Sequence, residues 1–193
     1  IKITMTKASY SDRKTVVSIL TASFADNKSV NYIIKQDAKK KHRIGKLMEY
    51  SFDYCFWFGE ILLSDDKKAC ALIIFPDKKK TTLKSVVADI KLITSCTGLS
   101  NAKRAMQREA TIKKIHPHHP FIYLWFIGVS PSEQNNGAGT VLLRQILEKS
   151  KTEGRPVILE TSTERNLPWY LKHGFTIYKE LDFGYKLFCM KSN

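Results

Sequence analysis

IGVSPSEQNNGAGTVLLRQIL, residues 127–147, runs from the end of an apolar segment, through a polar loop with two glycines, into a stretch with helical spacing. The segment before it, Phe121–Val129, is the most apolar of the chain, and its length and aromatic content predict a buried strand. The segment after it predicts a helix over Gly137–Glu153, stopped at Gly154. A strand that ends in a polar loop entering a helix is an architecture that binds phosphate. The first turn of a helix holds N–H groups without intrahelical acceptors and the positive end of the helix dipole, so a pyrophosphate there gains charge-assisted hydrogen bonds without any lysine. Gly137 and Gly139 put no side chain between backbone and anion, and either can take a positive φ. The loop end and first turn expected to face the anion are Asn135, Asn136, Gly137, Ala138, Gly139 and Thr140.

Alone, the glycine spacing says little: usage of roughly 7% yields about one chance G-x-G in a chain of this size. A dinucleotide-binding fingerprint would need a third glycine and a strand opening a βαβ unit, and a P-loop would need a G-K-[ST] ending; both are absent. An ordinary strand-loop-helix corner is the plain alternative.

Two separate matches to one family raise the reading above that alternative. Gln134, Gly137 and Gly139 fall on the defining positions of the acyl-CoA pyrophosphate motif of GNAT acyltransferases, Q/R-x-x-G-x-G/A, which this run resembles. Downstream, LETSTERNLPWYLKHGF, residues 159–175, resembles that superfamily's later motif, in which an Asn, a Tyr four residues on and a Gly-Phe turn line the pantetheine side of the site. Its wording is similar to the puromycin N-acetyltransferase branch. The similarity is closest over about the last 70 residues, with a weaker echo in ASFADN at 22–27. That branch carries a tyrosine after its F-A-D, where this chain has Asn27.

The resemblance implies an α/β fold: a central mixed, mostly antiparallel sheet with splayed fourth and fifth strands, flanked by helices on both faces. It implies a single domain over residues 1–193, with acceptor-side elements in about 1–120 and the acyl-CoA-binding core in about 121–175. The pantetheine arm would enter between Phe121–Val129 and Val157–Thr161, and backbone N–H near Ile127, Gly128 and Val129 would face the thioester oxygen. Tyr170 matches the position of the acid that protonates the leaving thiolate, and Asn166 that of a polar contact to the cofactor. Many members place a carboxylate on the fourth strand, but Tyr123–Val129 contains none. Glu160, on the fifth strand beside the cleft, is the expected base, acting directly or through water; hydrogen bonding to neighbouring backbone is its structural alternative. Asp26 and Tyr32 are expected to line the acceptor pocket. The partners implied are acetyl-CoA as acyl donor and a small-molecule amine, with direct attack in a ternary complex. A non-catalytic acyl-CoA-binding domain and a basic nucleic-acid-associated protein are the rival readings.

Composition bounds these readings. With 193 residues and 43% hydrophobic content the chain can bury one substantial core. It has no apolar run long enough to span a bilayer and no signal-peptide pattern, so the expectation is a cytoplasmic protein without membrane partners. Cys55, Cys70, Cys96 and Cys189 form no C-x-x-C pair and read as small buried side chains. A net charge of +14 favours anionic partners, but its clusters, Lys39–Arg43, Lys78–Lys80 and Lys113–Lys114, flank elements instead of forming a stripe interleaved with aromatics. No nucleic-acid partner is expected. His116, His118 and His119 are crowded around Pro117 and before Pro120, without helical i, i+4 pairing, and no metal is expected.

Outward from the central segment, the pattern predicts a strand over 2–8 and a helix capped by Ser11 or Asp12 that carries Val16, Val17, Ile19, Leu20 and Phe24. A second helix is expected over Ala38–Trp57, then a hairpin of Ile61–Ser64 and Ala69–Phe75, and two helices over 82–115 broken near Gly98. The aromatics of the second helix, Tyr50 to Trp57, read as core and pocket wall. After the central helix come the strand Val157–Thr161, a short helix Asn166–Lys172 ending at an αL Gly174, and strands near Phe175–Leu181 and Tyr185–Lys191.

Overall fold

The computed structural model describes residues 4–193, the side chains of 99 and 100 apart. Among the described residues seven strands form one sheet in the order β1-β2-β3-β4-β5-β7-β6. They are β1 Met5–Lys7, β2 Gly59–Ser64, β3 Ala69–Ile74, β4 Ile122–Val129, β5 Val157–Thr161, β6 Phe175–Asp182 and β7 Lys186–Ser192. Only β4 and β5 run parallel. The first residues of the strand expected over 2–8 lie outside the described residues; the part within them is β1.

The helices are α1 Arg13–Ser23, α2 Lys28–Ile33, α3 Lys40–Phe58, α4 Leu83–Leu92, α5 Gly98–Ile115, α6 Ala138–Glu153 and α7 Leu167–Lys172. One face of the sheet packs α1 and α3 through Val16, Leu20, Ile44, Met48 and Phe52. The other packs α6 through Leu142, Leu143 and Ile146 against Ile122, Leu124, Val157 and Leu159. Burying each such side chain contributes roughly 1.5–3 kcal/mol. Thus the mixed, mostly antiparallel sheet with helices on both faces is the observed architecture.

Three local departures have physical causes. The start of α1 is organised one turn earlier than its expected cap: Asp12 is the N-cap residue, but its carboxylate turns back to accept the Ser9 N–H at 3.0 Å and so organises a 3-10 turn over Tyr10–Asp12. Helix α2 has only six residues, too few to show a period; Asn27 caps it by accepting the Val30 N–H at 3.0 Å. Between α4 and α5 the chain widens into a π turn over Ile93–Thr97 before Gly98 takes φ +68°.

The element that positions the site is β4. It was expected to be buried throughout; instead Tyr123, Trp125, Ile127 and Val129 are only half-buried. The cause is a missing neighbour: β4 pairs with β5 at Ile122 and Tyr123 alone, after which the two strands diverge. On its other edge β4 pairs with β3 along its length, with a register shift opposite Leu72 and Ile73 that leaves Trp125 as the extra residue of a bulge. A bulge bends and twists its strand, which helps turn β4 away from β5 where the gap begins.

Candidate functional site

The gap has a mouth and a root. At the mouth, the chain leaves β4 through a 3-10 turn at Pro131–Glu133, and enters α6 through Asn135 at φ +69° and Gly137 at φ +84°. Gly137 is the N-cap residue of α6, and no side chain caps the helix. Ala138, Gly139 and Thr140 therefore begin a 16-residue helix with N–H groups that no capping side chain meets, while Gln134, Asn135, Asn136 and Gly137 are exposed around them. A Cβ added at Gly137 would meet nothing within 4 Å, so the glycine is there for its backbone conformation and for the open space in front of it. Gly139 sits in contact range of two walls: a Cβ would lie 3.7 Å from both Trp169 and Val129. The Trp169 indole also donates to Thr140 Oγ1 at 3.1 Å, which ties α7 to the first turn of α6. The residues expected from 134 to 140 thus form one open corner around uncapped helix N–H groups, and Trp169 is a member of it that the motif did not point to.

Along the gap, the Ser130 N–H donates to Lys68 O at 2.8 Å. Antiparallel alternation then turns the hydrogen-bonding groups of Gly128 and Phe126 toward β3, and those of Ile127 and Val129 toward the gap. The three expected backbone positions accordingly do different things. Ile127 presents its backbone to the gap; the Val129 carbonyl accepts from Ser23 Oγ at 2.8 Å, leaving its N–H for the gap. Gly128 instead admits α1, since a Cβ there would lie 2.9 Å from Leu20 Cδ2 and 3.2 Å from Ser23 Oγ. On the α6 side of the sheet, Tyr170 packs between Trp169 and Phe175 with ring centroids 4.7 and 5.6 Å away. Its hydroxyl has no hydrogen-bond partner among the described residues, yet it is not among the polar atoms sealed from solvent. Burial pushes the phenol above its ordinary range. That keeps it protonated, so toward a thiolate it is a hydrogen-bond donor first and only a weak acid. Asn166, half-buried, is the N-cap residue of α7, and its side chain caps nothing.

At the root, Glu160 lies on the opposite face from Tyr170, with its side chain 5% exposed. It does not hydrogen-bond neighbouring backbone. The Tyr123 hydroxyl donates to Oε2 at 2.5 Å across the point where β4 and β5 part, and His116 Nε2 lies 2.8 Å from Oε1. Although β4 carries no carboxylate, a tyrosine of β4 therefore brings one over from β5. Burial first, and then the adjacent Glu160, hold the Tyr123 phenol well above its ordinary value; the same two causes push the Cys189 thiol up to about 12. Nearby, the buried Arg108 donates to Tyr185 Oη at 2.9 Å and to Ser29 Oγ at 2.5 Å. Helix α2 closes over this end: the Ser29 N–H donates to Ser162 Oγ at 3.2 Å and Asn27 Nδ2 to Thr163 Oγ1 at 3.4 Å.

Of the two residues expected in the acceptor pocket, Tyr32 packs against Tyr185 at 5.3 Å under the Arg104 guanidinium, whereas Asp26 lines a different groove with Lys40 and Lys41. The histidines do not act together: His116 turns inward to Glu160 while His118 and His119 are exposed. Among the described residues no group of three or more His, Cys, Asp or Glu could hold a metal ion, and no helix is long and apolar enough to cross a membrane. The four cysteines are free and buried.

Comparison with known proteins agrees with this geometry. Residues 105–175 match the acetyltransferase (GNAT) family. The fold is that of the histone acetyltransferase HPA2 and related acetyltransferase from Corynebacterium glutamicum, with a TM-score of 0.76 at 20% identity over 100% of this chain and 96% of that one. Arylalkylamine N-acetyltransferase 2 from Aedes aegypti shares it at a TM-score of 0.62 and 14% identity, over 100% of this chain and 99% of that one. PaiA N-acetyltransferase from Thermoplasma acidophilum, solved in complex with coenzyme A, does so at 0.58 and 14%, over the same shares.

Proposed function

We propose that this protein is an acyl-CoA-dependent N-acetyltransferase that passes an acetyl group from acetyl-CoA to a small-molecule amine by direct attack in a ternary complex. The observation that carries the reading is the gap itself: an uncapped helix N-terminus at its mouth, strand backbone along it, and Glu160 and Tyr170 on opposite faces of the sheet. Gln134 to Thr140 would receive the pyrophosphate, each charge-assisted N–H bond contributing roughly 1.5–3 kcal/mol. Ile127 and Val129 would donate to the developing oxyanion, and Asn166 would meet the pantetheine arm. Glu160 would take the proton of the attacking amine, and Tyr170 would hydrogen-bond the departing sulfur. The likeness of residues 159–175 to the puromycin N-acetyltransferase branch, and an arylalkylamine N-acetyltransferase among the proteins of this fold, support a small amine as acceptor.

The test is calorimetry with acetyl-CoA on the wild type and on Gly137→Asp, followed by a screen of amines for acetyl transfer. Binding to the wild type, weakened on the order of 100-fold or more by a charge and a side chain in the loop, is the expected result. A folded wild type that binds no acetyl-CoA would end the proposal.

A further inference from the structure

Glu160 is the centre of a line of three side chains. Tyr123 comes from β4, Glu160 from β5, and His116 from the residue that follows α5, and both carboxylate oxygens are engaged, one from each side. The imidazole is held edge-on against Phe121 at 5.2 Å and tilted against Tyr123 at 5.4 Å. Exposure rises outward along the line, from 5% for the Glu160 side chain to 14% for that of His116. The second imidazole nitrogen, Nδ1, makes no hydrogen bond to the described residues. The titratable groups around the line are Arg108 and Glu109 from α5, Tyr178 from β6, Cys189 from β7 and Tyr185 between those strands.

We infer that His116 is the exit for the acceptor's protons: Tyr123 holds the Glu160 carboxylate toward the gap, and His116 carries each proton that Glu160 receives out to solvent. The inference rests on Glu160 being the base. An acceptor arriving as R–NH3+ gives one proton to the carboxylate; with the ring as its Nδ1–H tautomer the acid so formed protonates Nε2 while Nδ1–H gives a proton to water, and the Nε2–H left facing the carboxylate is returned to Nδ1–H by exchange through solvent before the next proton. The free amine then forms the C–N bond as the C–S bond breaks. Its second proton leaves by the same path, and the thiolate takes one proton, delivered at Tyr170. Two protons leave and one is consumed, which balances the release of one H+ per amide formed from an ammonium. A base sealed at 5% exposure needs such an exit, because a carboxylic acid left in the gap could not accept the second proton. His116 and Tyr123 are thus positioning residues for Glu160.

The experiment compares His116→Ala, His116→Asn, Tyr123→Phe and Glu160→Gln in the full chain. Acetyl transfer from acetyl-CoA to tyramine is followed by thiol release across pH, with acetyl-CoA hydrolysis as the readout that needs no amine. In parallel, NMR of the His116 ring nitrogens compares the wild type with Glu160→Gln. Expected are a loss of kcat on the order of 10- to 100-fold in both His116 variants with KM for acetyl-CoA unchanged, an altered pH profile, and partial restoration of His116→Ala by added imidazole. The chemical shift of Nε2 should also move in Glu160→Gln, because its hydrogen-bond partner changes. Wild-type kcat and pH profile in His116→Ala would overturn the inference, as would a loss that imidazole does not restore, or a ring whose nitrogen shifts are the same with and without the Glu160 carboxylate. Wild-type turnover in Glu160→Gln would instead remove the base reading on which it rests.

Discussion

The mouth of the gap is built from backbone and its root from side chains, and the two regions differ in how they come together. The mouth needs one continuous stretch, Gln134 to Thr140, in which glycines do their work by lacking a side chain and by allowing φ +84° at Gly137. The root needs Ser29, Arg108, His116, Tyr123, Glu160 and Tyr185, which span most of the chain and meet only because the sheet brings β4, β5 and β7 side by side. A backbone site is encoded locally and tolerates change elsewhere; a side-chain site is a product of topology.

Root and mouth are expected to be energetically separate. Glu160→Gln is expected to lower turnover on the order of 10²- to 10⁴-fold while leaving the affinity for acetyl-CoA within about twofold. Isothermal calorimetry beside steady-state kinetics reads both. If donor affinity falls with turnover, the two regions act as one. The mirror test, Gly137→Asp, is expected to weaken donor binding and also to cost about 1–2 kcal/mol of stability, because φ +84° strains any residue with a Cβ even though that Cβ meets nothing within 4 Å.

The same division explains what was legible in the sequence. The strand, loop and helix from Phe121 to Glu153 could be read from apolarity, polarity and spacing, because each of those properties is local. Glu160 could be singled out as the one acid of its strand, and the structure puts it beside the gap. Its partners could not be found, since nothing in the local run His116–Pro120 ties His116 to a residue 44 positions away. The histidine triplet invited a question about metals, while the informative fact was that one of the three turns inward. The half-exposure of β4 was hidden from the local pattern alone: Tyr123 to Val129 look like a fully buried strand, and the divergence of β5 that uncovers them was implied by the family resemblance, not by any local property. Helix α2 escaped because six residues carry no period, and Asn27 drew attention for its place after Phe24-Ala25-Asp26 and not as a cap.

Two glycines sharpen the comparison further, with smaller effects. Gly128→Ala should destabilise the fold by about 1–3 kcal/mol, since the new methyl group meets Leu20 Cδ2 at 2.9 Å and α1 must give way. Gly139→Ala, with contacts at 3.7 Å, should leave the melting temperature nearly unchanged and weaken donor binding instead. Equal melting temperatures for the two variants would mean that α1 and the mouth are not distinguished by packing in the way the contacts require.

The smallest effect concerns the N-terminal part of the chain alone, where α1 is anchored at its start. Hydrogen bonds from Ser9 and the nearby Lys67 hold the Asp12 carboxyl at about 2, below its ordinary value of 3.8. A group whose folded-state pKa is depressed contributes stability that is fully present above its unfolded value, and that is lost as pH falls through the folded one. Asp37, held at about 2 chiefly by Arg43, behaves alike at the start of α3. Asp12→Asn should therefore lower the melting temperature slightly at pH 7, with the difference from wild type shrinking from about pH 4 downward and vanishing near pH 2. Because both carboxylates anchor α1 and α3, which carry no part of the mouth, acetyl-CoA affinity should stay constant across that variant. A fall in affinity with the loss of this anchor would show that the two halves communicate through α1, by way of the Ser23–Val129 hydrogen bond that joins it to the end of β4.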